Sequence, residues 1–252
     1  MKYIGATETF DPAFVKDWDQ HLKEANLIIS KRLTDDMIQK LVKNKDKIIF
    51  HHTVTGFGGS VYEPGVQPYW HEATQASKLL QLGFPATQYV LRVDPVIPTN
   101  RRNIELVREV LTYWIEQVLK PNDVTKLRCR ISIIDQYSHV AKRFMDAGMQ
   151  IPWYGFHAPK EAFKVVAELI SGFTSEYDFE SCAELGFSGY DWINQKGCAN
   201  LDDVLLLGLN PDDYEFPEQN QRAQCRCLAK KQILKVKPGR CSHKCIYCYW
   251  KD

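Results

Sequence analysis

Near its C-terminal end the chain reads Cys241-Ser-His-Lys-Cys245-Ile-Tyr-Cys248, which places three thiols within eight residues. Thiolates on so tight a loop can wrap one face of an iron–sulfur cube. Three ligands to a four-iron cluster leave one iron open, and an open iron can chelate the amino and carboxylate groups of S-adenosylmethionine (SAM). The spacing therefore points to a [4Fe–4S] cluster held by Cys241, Cys245 and Cys248. The competing reading is zinc, which needs a fourth ligand, most simply His243 or one of Cys225 and Cys227.

Five further cysteines remain: Cys129, Cys182, Cys198, Cys225 and Cys227. Cys129 sits inside an apolar run and reads as a small core residue. The other four, with the tight Cys225-x-Cys227 pair, complete one four-thiolate site for a second cluster or a structural zinc. Simple burial is the alternative for Cys182 and Cys198.

The elements that must position these groups alternate between β-branched runs and amphipathic stretches. Strands are expected at Tyr3–Ala6, Leu27–Ser30, Lys47–Val54, Gln88–Val93, Leu127–Ile134, Trp153–Phe156 and Tyr177–Glu180. Helices are expected near 12–25, 34–44, 70–82, 101–119, 136–147 and 159–171. The clearest is 101–119, where Ile104, Val107, Leu111, Trp114, Ile115 and Val118 recur on one face. This alternation predicts an α/β fold with a parallel sheet, open or closed into a (β/α) barrel. The expected division is a barrel-like domain over 1–185 and a cysteine-rich cap over 186–252, packed on the barrel mouth.

In such a fold, functional polar groups gather at the C-terminal strand ends. Those positions carry Glu8, Ser30-Lys31, His51-His52-Thr53, Arg92 with Asp94, Ser132 with Asp135, His157, and Glu180-Ser181-Cys182. Helix caps and rim ion pairs are their ordinary alternatives. The 252 residues carry a formal net charge of +1, with 44% apolar and 25% charged residues, as an ordinary globular chain does. No apolar run is long enough to span a bilayer. The N-terminus shows no export signal, so a cytoplasmic location without membrane contact is expected.

A family resemblance rests on consecutive segments. Leu27–Thr34, Ile48–Thr55, Tyr62-Glu-Pro-Gly-Val-Gln-Pro68 and Leu91-Arg-Val-Asp-Pro-Val-Ile-Pro98 follow one another as in spore photoproduct lyase-like radical SAM proteins. There the cysteine triplet precedes the series, whereas here it follows. That order resembles an uncharacterised radical SAM-like domain-of-unknown-function family with a C-terminal cysteine cluster. The resemblance extends to Asp11-Pro-Ala-Phe14, Ser181-Cys-Ala-Glu184, Cys198, Gln221-Arg with Cys225-x-Cys227, and Cys245-Ile-Tyr-Cys-Tyr249. The family's N-terminal strand usually ends in an arginine-bearing run, which Ala6-Thr-Glu-Thr-Phe-Asp-Pro12 replaces here.

The resemblance implies a radical SAM-type barrel or partial barrel, circularly permuted so that the cluster loop is C-terminal. It implies reductive cleavage of SAM to a 5′-deoxyadenosyl radical that abstracts hydrogen from a substrate. A one-electron donor such as flavodoxin or ferredoxin would be the partner. Tyr247 is then expected near the adenine, and Lys31, Thr53 and Arg92 near the carboxylate and ribose. No catalytic hydrogen donor stands out.

From Arg222 to Lys251 the chain carries Arg222, Arg226, Lys230, Lys231, Lys235, Lys237, Arg240, Lys244 and Lys251 and no acid. Such a segment can grip a phosphate backbone, which suggests a nucleic acid or nucleotide substrate. It can equally offset thiolate charge. The alternative function is a non-enzymatic zinc- or cluster-stabilised nucleic-acid-binding protein.

Overall fold

The structure is a computed structural model that describes residues 2–214, 225, 227–228, 231–234 and 241–250. Its framework is one eight-stranded sheet in the order β7-β6-β5-β4-β3-β2-β1-β8, with every pairing parallel. The strands are β1 (Ile4–Ala6), β2 (Ala25–Ser30), β3 (Ile48–Thr53), β4 (Tyr89–Val96), β5 (Leu127–Ile133), β6 (Tyr177–Ser181), β7 (Ile193–Gln195) and β8 (Lys231–Ile233). Six α-helices accompany them among the described residues: α1 (Asp35–Lys43), α2 (Tyr69–Gln81), α3 (Arg101–Trp114), α4 (Ser138–Asp146), α5 (Lys160–Ser171) and α6 (Leu201–Leu206). Parallel strands need crossovers of this kind, because no tight turn returns the chain to the same end of the sheet.

The sheet is curled rather than flat. Eight strands laid side by side would hold their two edges about 34 Å apart. Here the Leu228 amide, in the lead-in to β8, donates to the Ala199 carbonyl beyond β7 at 2.9 Å. The two outermost strands are therefore flanked by segments in direct contact, as a barrel-like sheet requires.

Local chemistry explains where the helices begin. Thr34 Oγ1 accepts from the Met37 amide at 3.2 Å, with Asp35 and Asp36 in the first turn of α1, where acids favour the helix dipole. Asn100 caps α3 by accepting from the Asn103 amide at 2.9 Å. Val107, Val110, Leu111 and Trp114 line the buried face of α3, and a π-type turn, Ile115–Leu119, continues it.

Alternation along the strands separates two environments. Phe50, Tyr89, Leu91, Cys129, Ile131 and Phe179 pack outward in the main apolar core with the helices. The inner face is apolar at one end, where Leu27, Ala199, Val204 and Leu228 meet. Elsewhere it carries Arg92, Arg128, Arg130 and Glu180, which contact one another or their neighbours.

Three expectations require correction. The stretch 12–25 forms two short 3-10 turns, Pro12–Phe14 and Trp18–His21, instead of a helix. Asp11 caps the first turn, yet its carboxylate is also engaged by Ser30 and the Lys31 amide, and Trp18 anchors the second by burial. The stretch Trp153–Phe156 is not a strand: Pro152 precedes it, Gly155 has φ +103 and Tyr154 is 95% exposed. Strands β7 and β8, each three residues long, join the sheet from beyond residue 186. The segment read as a cap thus supplies two strands of the barrel-like sheet itself.

Candidate functional site

The cysteine loop 241–250 lies across the ends of the first strands, and each anchor can be named. His243 is buried, with Nε2 2.7 Å from Asp11 Oδ2 and Nδ1 3.3 Å from the Gly65 carbonyl. The Gly65 amide donates to the His243 carbonyl at 3.0 Å, and the Ile246 amide donates to the Tyr62 carbonyl at 3.1 Å. Arg143 of α4 donates to the Cys248 and Trp250 carbonyls at 2.5 and 2.8 Å. Trp250 Nε1 donates to the Glu8 carbonyl at 3.1 Å. These contacts join the loop to segments following β1, β3 and β5, all at the C-terminal mouth of the sheet.

Gly65 is the tightest of these contacts. A Cβ there would collide with the Ser242 carbonyl oxygen and stand 2.9 Å from His243 Cα. The Glu63-Pro-Gly65 run, noticed in the sequence as part of a resemblance, is thus the surface on which the cysteine loop rests.

Tyr247 is buried, and its hydroxyl contacts Glu63 Oε1. Lys31 Nζ donates to the Tyr247 hydroxyl and to Glu63 Oε1, both at 2.8 Å, and lies 5.2 Å from the Tyr247 ring centroid. Burial alone would lower the Lys31 pKa, but the charges of Glu63 and Cys245 raise it above its ordinary value. Burial pushes the Cys245 thiol up, with Lys31 pulling against it. Lys31 is therefore a fixed cation beside the central cysteine of the triplet.

Farther inside, Arg92 pairs with Asp94, which also accepts from Ser132 Oγ. Burial would raise the Asp94 pKa, but the Arg92 charge and these hydrogen bonds bring it down from 3.8 to about 2. Thr53 sits buried at the end of β3 in register with Arg92. His51 is fully buried on the inner face, and both its ring nitrogens lack a hydrogen-bond partner among the described residues, as does Arg92 Nε. Burial, then the charges of Arg130, Arg92 and Arg128, hold the His51 pKa well below 6.5.

A second set of thiols meets at the far edge. Cys182 follows β6, Cys198 follows β7, and Cys225 with Cys227 precede β8. Cys182 Sγ lies 3.9 Å from Cys225 Sγ and 3.7 Å from Cys227 Sγ. The sulfurs of Cys182, Cys198 and Cys227 are mutually within 4.8 Å.

The structure gathers Lys31 and Tyr247 at the mouth with Glu63, and Thr53 with Arg92 deeper on the same face. His52, by contrast, faces outward: its Nε2 is 3.0 Å from Glu72 of α2 and its Nδ1 2.8 Å from the Tyr89 hydroxyl. Period-two alternation makes only one of two adjacent strand residues an inner-face group. His157 is exposed beside Asp135 and outside any strand. Glu180 is buried between Arg128 and Arg130. Sequence reasoning missed Asp11 and His243 as a pair, and also Arg130 and Arg143, because their partners are remote in the chain. Of the basic run, Lys231 pairs with Glu8 at 2.7 Å; Arg222, Arg226, Lys230, Lys235, Lys237, Arg240 and Lys251 lie outside the described residues.

Two outcomes follow. Gly65→Val should displace the loop, raising amide hydrogen exchange at Ile246 at least about tenfold while β3 and β4 stay protected; unchanged exchange at Ile246 would contradict the docking. Because Asp94 has its folded pKa below the ordinary 3.8, its stabilisation is complete above 3.8 and is lost as the pH falls toward 2. Asp94→Asn should therefore cost roughly 2 kcal/mol near neutral pH. That gap should shrink in acid by urea denaturation, and a gap that widened in acid would refute the assignment.

Comparison with known proteins adds the family. Residues 8–250 match the family model described as Domain of unknown function (DUF1848). No curated protein matches the chain. With nearly the whole chain inside that match, including both thiol sets and the loop's docking surface, the protein belongs to the DUF1848 family.

Proposed function

We propose that the protein is a radical SAM-like iron–sulfur enzyme in which Cys241, Cys245 and Cys248 ligate a [4Fe–4S] cluster. The observation that carries this reading is the docking of a three-thiol loop at the C-terminal mouth of a parallel, barrel-like sheet. That docking uses backbone groups, His243, Tyr247, Arg143 and Trp250. It leaves the thiols themselves for ligation. A circularly permuted radical SAM-type barrel accounts for this arrangement, since the loop can reach the mouth from either terminus.

The donor set fits the cluster better than zinc. A single zinc ion draws four thiolates to about 3.8 Å of one another, given its short bonds and tetrahedral geometry. A cluster instead takes one thiolate on each of three irons, which three cysteines on one tight loop can supply. His243, the candidate fourth zinc ligand, is engaged by Asp11 and Gly65. Cys225 and Cys227 meet Cys182 instead.

When bound and reduced, such a cluster supplies the electron that splits SAM and yields a hydrogen-abstracting 5′-deoxyadenosyl group. The chain's part is to bind, orient and keep water away. Lys31 spends two of its three donors on Glu63 and Tyr247, leaving one for a carboxylate beside Cys245. Tyr247, expected against adenine, holds Lys31 and Glu63 through its hydroxyl. Thr53 and Arg92 lie on the inner face with His51. Buried polar atoms without a partner among the described residues, such as both His51 nitrogens and Arg92 Nε, support a polar ligand reaching that face. Flavodoxin or ferredoxin is the class of electron donor, and a nucleic acid or nucleotide the class of substrate.

Anaerobic reconstitution with iron and sulfide, followed by EPR of the dithionite-reduced protein, tests this reading. The cluster signal should change on adding SAM, 5′-deoxyadenosine should form, and both should vanish in Cys245→Ala. Tightly bound zinc at the triplet with no iron uptake would overturn it and favour the non-enzymatic nucleic-acid-binding alternative.

A further inference from the structure

The second thiol set goes beyond that reading and stands without it. We infer that Cys182, Cys198, Cys225 and Cys227 bind one zinc ion, and that this ion clasps the two edges of the curled sheet.

Geometry separates this site from a second cluster. Zinc–sulfur bonds of about 2.3 Å in a tetrahedron put the sulfurs about 3.8 Å apart. The Cys182–Cys225 and Cys182–Cys227 separations are 3.9 and 3.7 Å, and Cys198 joins Cys182 and Cys227 within 4.8 Å. A four-iron cube cannot fit between sulfurs in van der Waals contact, because it places each thiolate on a different corner. Nor are these thiols at disulfide bonding distance, and none of the four is in a disulfide.

Position gives the ion its role. Cys182 and Cys198 lie just beyond β6 and β7 at one edge of the sheet, whereas Cys225 and Cys227 lie just ahead of β8 at the other. Between the flanking segments, the Leu228 amide donates to the Ala199 carbonyl at 2.9 Å, and the Cys198 amide points at Cys227 Sγ at 3.1 Å. β7 and β8 are three residues each, too short to hold a seam by ladder hydrogen bonds. Four metal–thiolate bonds supply what the short strands lack.

The surroundings match the charge of such a centre. Four thiolates on one divalent ion leave two negative charges to be balanced. Arg130, 1% exposed, places Nη1 3.7 Å from Cys198 Sγ and is itself tied to the Lys196 and Gly197 carbonyls at 2.7 and 3.1 Å. Arg130 thereby braces the Lys196–Cys198 turn and presents a buried cation to the site. The amide of Cys198 provides the N–H···S hydrogen bond that orients metal-bound thiolates in a surrounding shell.

The test uses the full chain with Cys241, Cys245 and Cys248 all replaced by Ala, so that the proposed cluster cannot contribute. Metal analysis of this variant should find about one zinc per chain and no acid-labile sulfide. Cobalt exchanged into the site should give the intense visible bands of a tetrahedral tetrathiolate. Adding Cys198→Ser should cut zinc retention at least about tenfold, whereas Cys129→Ala, a buried cysteine outside the set, should not. Iron with acid-labile sulfide in the triple variant would overturn the inference, as would two disulfides, or four reactive thiols, without bound metal. Because the readout is metal content and cobalt spectrum, failure here leaves the cluster reading untouched, and failure of that reading leaves this one intact.

Discussion

An all-parallel sheet of eight strands either lies open, with both faces covered by helices, or curls until its edges meet. This chain takes the second course, and its outermost strands are its weakest. β7 and β8 are short, so the joining of the edges depends on what flanks them: among the described residues, the Leu228–Ala199 backbone hydrogen bond and a knot of four thiols. The polar inner face lies inside that closure, and the cysteine loop lies across its mouth. The inner face can carry arginines, a buried histidine and acids because curling shields it, with α1 to α5 on the outer face and α6 against the apolar end of the inner one.

Charge organises the interior that results. Arg128 donates to both Glu180 oxygens at 2.9 and 3.3 Å and to Asp203 at 2.7 Å, so buried cations are partly matched by buried acids. A buried cation, itself paired with an acid, stands near each thiol set: Arg130 beside Cys198 and Lys31 near Cys245. Thiolates bound to metal are anionic, and a low-dielectric interior makes their compensation worth more than at the surface. Positive side chains at both places are therefore expected if both sets ligate, and they are awkward if the cysteines are merely neutral thiols.

Much of this was legible in the chain. Strands β1 to β6 announced themselves because each is a β-branched or aromatic run bounded by turn residues. α3 did so because its apolar residues recur at helical spacing. β7, β8 and α6 did not, since three to six residues carry no periodicity that rises above chance. The cysteines were readable as one triplet and one set of four, but spacing along the chain could not say how the four would meet. Distances between sulfurs carry that information. His51 and His52 show the same limit: adjacent in sequence, they lie on opposite faces. Gly65 shows how a local motif acquires meaning, for its missing side chain matters only once Ser242 and His243 lie against it.

The loop's identity as a three-thiolate cluster site is the claim on which the functional account turns. Mössbauer spectroscopy of the ⁵⁷Fe-reconstituted protein with Cys182, Cys198, Cys225 and Cys227 intact tests it most directly, because it reports the ligand environment of each iron. The account predicts a four-iron cluster in which one iron differs from the other three, and in which only that iron's parameters change when SAM is added. Four equivalent irons indifferent to SAM, or iron held singly by four thiolates, would contradict it.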